Sequence, residues 1–137
     1  MRARTFADEV QRWIVKRDKT TNELKWRILP LHASILFQAP TNVIKAIIQA
    51  YPQGVKEKDD KGMLPLHVAF LVSHLDTEMV SALLDIYPEA VLEKDNRDRS
   101  PIAMLNVKQA GPNALIPNET MKAYSNASAI AKERIAY

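Results

Sequence analysis

A chain of 137 residues, 47% apolar and 26% charged, is long enough for one domain with its own core and too apolar for a disordered tail. It has no cysteine, which excludes disulfides and thiolate metal sites, and no apolar run near the roughly 18 residues that a spanning helix needs. The net charge of +3 is uneven: residues 1–27 hold eight Lys or Arg against four Asp or Glu, and residues 28–111 hold eight against ten.

The first element is a helix entered at Thr5. Asp8 and Glu9 stand in its first turn, where the helix dipole favours acids, and Phe6, Val10, Trp13 and Ile14 form one apolar stripe. This spacing predicts an N-terminal capping helix over residues 1–15. No apolar segment follows the basic start, so no secretory signal is expected, and an intracellular place in the cytoplasm or nucleus is. Residues 16–27 are polar around Thr20-Thr21-Asn22, which predicts a finger loop or long hairpin, with Trp13 facing Trp26.

The next two segments are copies of one plan. Leu29-Pro30-Leu31-His32 returns as Leu64-Pro65-Leu66-His67, and Tyr51-Pro52 returns as Tyr87-Pro88. Pro30 and Pro65 suit the first position of a helix, where no N–H is needed. They open short helices, Pro30 to Phe37 and Pro65 to Ser73. Longer helices follow, capped by Thr41 or Asn42 and by Asp76 or Thr77, carrying Val43, Ile44, Ile47 and Ile48 in one copy and Met79, Val80, Leu83 and Leu84 in the other. Each copy is joined onward by a charged connector. Lys58-Asp59-Asp60-Lys61-Gly62 matches Lys94-Asp95-Asn96-Arg97-Asp98, so Gly62 and Asp98 are expected at positive φ. The units span 28–62 and 63–98, with a degenerate third unit over 99–111 from Ser100-Pro101-Ile102. A loop and helix over 112–137 carry the stripe Met121, Tyr124, Ala127, Ile130 and Ala131.

Gly62-Met63-Leu64-Pro65-Leu66-His67-Val68-Ala69 resembles the Gly-x-x-Pro-Leu-His-x-Ala word of ankyrin repeats, and Met79-Val80-Ser81-Ala82-Leu83-Leu84 resembles that family's long-helix pattern. The resemblance covers residues 28–105. It implies an all-α solenoid of helix-turn-helix repeats, two full and one partial, in which Pro30, His32, Gly62, Pro65, Leu66, His67 and Pro101 are structural. It departs at Leu29 and Leu64, where the family has Thr, and each unit is two or three residues longer than the norm. The resemblance further implies a concave face of connectors and short helices, toward which Met63, Ile28 and Arg99 point.

No residue set recommends catalysis. His32, His67 and His74 lack a metal-ligand spacing, Asp59-Asp60 and Asp95-Asn96-Arg97-Asp98 read as turn tips, and three glycines make no phosphate loop. The expected function is a non-catalytic, monomeric protein-binding scaffold without cofactor or metal, not inserted in a membrane, binding another protein through Trp26, Ile28, Phe37, Met63, Leu71, Arg97 and Arg99. The alternative is nucleic acid or an anionic surface held by Arg2, Arg4, Arg12, Lys16, Arg17, Lys19, Lys25 and Arg27, against which the slightly acidic units weigh.

Overall fold

A computed structural model of the chain describes residues 5–72, 76–104 and 118–135. Helix α1, Phe6–Val10, begins with a reciprocal cap: Asp8 N–H donates to Thr5 Oγ1 and Thr5 N–H donates to Asp8 Oδ2, each at 3.1 Å. The helix ends at Val10 and does not reach Val15. Ile14–Arg17 instead forms strand β1, antiparallel to β2, Leu24–Ile28, with Val15 opposite Arg27, Lys16 opposite Trp26 and a bulge after Lys16. Two local causes favour this hairpin. Ile14, Val15, Trp26 and Ile28 are β-branched or aromatic. Asp18 Oδ1 accepts from Thr20 and Thr21 N–H at 2.8 Å each, and Asn22 takes φ 59°, which closes the turn. Those two amides hold the Asp18 carboxyl below its ordinary pKa.

The two-stranded sheet overturns the expectation of an all-α, ankyrin-like solenoid with a helix over 1–15 and a loop over 16–27. Trp13 does not stack on Trp26 either. Its ring lies under the Arg27 guanidinium, 4.4 Å from the ring centre, and beside His32.

The two copies follow as α2, Pro30–Leu36, and α3, Thr41–Ala50, then α4, Pro65–Leu71, and α5, Thr77–Ile86. Helix α2 packs on α4 and α3 on α5. Their shared core holds Leu31, Ile35, Leu66, Ala69, Phe70, Val80 and Leu83, all with at most 2% of their surface exposed. Val43, expected in this core, is exposed. Asp76 caps α5 through Glu78 and Met79 N–H, whereas α3 starts after Pro40 with no side-chain cap. Each long helix runs into a 3-10 turn, Pro52–Lys56 and Pro88–Leu92, that precedes the charged connector and buries Val55 or Val91.

Leu29 and Leu64 have no hydroxyl to cap α2 and α4, and a histidine one turn on supplies the acceptor. His32 Nδ1 accepts from Leu29 N–H at 3.4 Å, and His67 Nδ1 from Leu64 N–H at 3.2 Å. The opposite nitrogen of each ring donates onward, His32 Nε2 to the Met63 carbonyl at 3.0 Å and His67 Nε2 to the Arg99 carbonyl at 2.9 Å. Every nitrogen of the pair is therefore occupied, and burial pushes both pKa values below 6.5, which keeps the rings neutral.

The connector tips fold alike. Asp59 Oδ1 accepts from Lys61 and Met63 N–H, and Asp95 Oδ1 from Arg97 and Arg99 N–H, all at 2.9 Å. Gly62 has φ 76° and Asp98 φ 63°, as turn chemistry requires. Asn96 joins the tips, its N–H donating to the Lys61 carbonyl and its side-chain amide to the Asp60 carbonyl.

After Pro101–Ala103, a single 3-10 turn, and the buried Met104, the remainder of the expected third unit lies outside the described residues, as do Ser73, His74 and Leu75. Helix α6, Asn118–Ile135, closes against α5 and the Pro88–Leu92 turn. Its inner stripe is Thr120, Ala123, Tyr124, Ala127 and Ala131, rotated from the expected one, so that Met121 and Ile130 face outward. Thr120 meets Thr77 hydroxyl to hydroxyl, and the Tyr124 ring packs edge-on against Phe70. No helix among the described residues is long and apolar enough to cross a membrane.

Candidate protein-binding face

Helix α2 has more apolar residues than its buried stripe uses. Leu31 and Ile35 point inward, while Leu36 and Phe37 fall outside that spacing at the helix end. The chain leaves α2 through Gln38 at φ 57°, with Ala39 N–H returning to the Ser34 carbonyl. This abrupt exit presents Phe37 to solvent, with 78% of its surface exposed.

Strand β2 stands opposite. Arg27 N–H donates to Asp60 Oδ1 at 2.9 Å, and the Arg27 carbonyl accepts from Asp60 N–H at 3.4 Å, so the hairpin is fastened to the first connector tip by its backbone. Trp26 and Ile28 then form one wall and Leu36, Phe37 and Leu71 the other, enclosing a groove of about 450 Å³. Its polar border is Lys25, Asp59, Asp60 and Lys61. The border carries both signs, with one oxygen of Asp59 and one of Asp60 already accepting backbone N–H groups.

Of the residues picked out from the sequence, Trp26, Ile28, Phe37, Met63 and Leu71 line this groove. Met63 contributes little to its surface. It is only 6% exposed, because its backbone is held by both Asp59 and His32 and its side chain joins the core. Arg97 and Arg99 do not line the groove. Arg97 is exposed on the second tip; Arg99 is spent within it, with Nε donating to Asp95 Oδ2 at 2.9 Å and a second guanidinium nitrogen 2.8 Å from the same oxygen. Burial alone would raise the Asp95 pKa, and the Arg99 contacts together with the Arg97 amide more than reverse this, leaving it lowered. Leu36 and Lys61 were not singled out from the sequence, and Lys25 was assigned there to the alternative basic site; Leu36 and Phe37, off the buried stripe at the end of a seven-residue helix, were a usable signal.

Among the described residues no three His, Asp or Glu side chains converge as metal ligands. Every buried side-chain nitrogen or oxygen among them has a partner, so no orphaned polar group points into the groove. No family model, curated protein or solved structure matches this chain, and the ankyrin-like reading gains no support from relatives.

Proposed function

We propose that this chain is a non-catalytic protein-interaction module that docks a partner protein in the groove between β2 and the ends of α2 and α4. The observation that carries the reading is the convergence of Trp26, Ile28, Phe37 and Leu71 on one concave surface, a contiguous apolar patch rather than a lone exposed side chain. Aromatic side chains in a pocket with a polar rim are the usual anchors of protein recognition. The module acts inside the cell, as a monomer and without a cofactor.

Nucleic acid is the weaker reading. Arg17 reaches the Asn22 carbonyl, Lys25 lies 3.8 Å from Asp18 and Arg27 covers Trp13, so half of the segment's described cations already have partners in this region. Arg2 and Arg4 lie outside the described residues.

A photo-crosslinking residue in place of Leu36 tests the proposal. Discrete protein adducts are expected in cell extract, and Phe37→Asp should abolish them without altering the melting curve. Adducts that persist at full yield in that variant would remove the groove from consideration.

A further inference from the structure

We infer that the open edge of β1 is a second recognition site, which takes an extended acidic segment of another protein as a third strand of the sheet. The argument starts from register. Arg27 turns its N–H and carbonyl away from β1 to meet Asp60, and its partner across the ladder is Val15. In an antiparallel pair, residues facing each other at a wide position both direct their backbone groups outward. Val15 therefore presents a donor and an acceptor on the side of β1 away from β2. Neither takes part in a hydrogen bond among the described residues. Ile14 and Val15 are 42% and 45% exposed on this edge, so an added strand would find both main-chain bonds and apolar contact.

Charge selects the occupant. Arg12, Lys16, Arg17 and Lys19 surround Ile14 and Val15, and all four are exposed. Arg12, Lys16 and Lys19 make no ion pair among the described residues. Asp18, the one acid among them, has an oxygen committed to Thr20 and Thr21. A second copy of the chain is a poor occupant, since antiparallel self-pairing about Val15 sets Ile14 against Lys16 and brings two cationic segments together. The cations that repel another β1 attract a strand whose alternate residues are Asp or Glu.

This site is separate from the groove, and its test leaves the groove intact. The probe is a capped synthetic peptide of about ten residues, alternating Glu with Val, titrated into the isotope-labelled full chain. Amide shifts centred on Val15 are expected, with slower exchange of its N–H. N-methylation of alternate peptide nitrogens should weaken binding by about tenfold or more, as should Lys16→Glu or Val15→Pro, while Phe37→Asp leaves it unchanged. The peptide modification needs no change in the protein, so a misfolded Val15→Pro variant would not decide the matter. Equal binding of the methylated peptide, equal binding of a Lys–Val counterpart, absence of saturable binding, tighter binding of an oligothymidylate at the same amides, or self-association through β1 would each overturn the inference.

Discussion

The tips at 59–63 and 95–99 have the same backbone and the same Asp-centred hydrogen bonds, yet one carries Gly62 where the other carries Asp98. The difference lies in what stands beside them. A Cβ on Gly62 would sit 2.4 Å from Asn96 Oδ1 and 2.8 Å from Asn96 N, because the second tip abuts the first. The Asp98 side chain is 83% exposed, and no further tip covers it among the described residues. Both positions demand positive φ, which Asp tolerates at a cost, but only the inner position also forbids a side chain. A conformational requirement alone permits substitution; a conformational and a packing requirement together leave only glycine.

The contrast between inner and outer copies should be widest in the core. Leu66 is fully buried and its counterpart Ile102 only partly, so Leu66→Ala should cost about 2–5 kcal/mol and Ile102→Ala clearly less. Equal losses in denaturant titrations would erase the distinction between the units. At the tips, Gly62→Asp should cost about 2–4 kcal/mol from strain and displacement of Asn96, whereas Asp98→Gly should stay within about 1 kcal/mol of the parent. A Gly62→Asp protein as stable as the parent would show that the tips can part freely.

The last effect is graded by pH. His32 and His67 have pKa values lowered by burial, so the unfolded chain takes up their protons first as pH falls below 6.5. Stability should accordingly be complete above that value and decline beneath it, by at most about 1.4 kcal/mol per pH unit for each ring, until the folded rings protonate. His67→Gln should halve the slope, and an unchanged slope would deny that His67 is buried neutral.

The repeated words in the sequence were legible because each residue in them meets a local demand. Pro30 and Pro65 start helices, Gly62 takes positive φ, and Asp59 and Asp95 gather tip amides. The N-terminal segment misled for a physical reason. Phe6, Val10, Trp13 and Ile14 fit a helical stripe, but Trp13 is drawn to Arg27 and His32, neither of which is near it in sequence. Nor could alternation reveal the hairpin, since β1 is exposed on both faces. Met63 shows the same limit in the candidate site. Its position after the glycine suggested a partner-facing side chain, and a core contact unseen in the sequence took it inward. Phe37 was legible, because an apolar residue at a helix end, off the buried stripe, has nowhere else to go.

One consequence of the tip-to-tip bonding is mechanical. Arg27 to Asp60 and Lys61 to Asn96 are ties through backbone groups that run from the hairpin across both connectors, while among the described residues the polar ties between α3 and α5 are the side-chain pairs Thr41–Asp76 and Lys45–Glu78, beside their packed core. The connector border thus joins hairpin and units through backbone groups, and the groove wall at β2 is anchored to the same border.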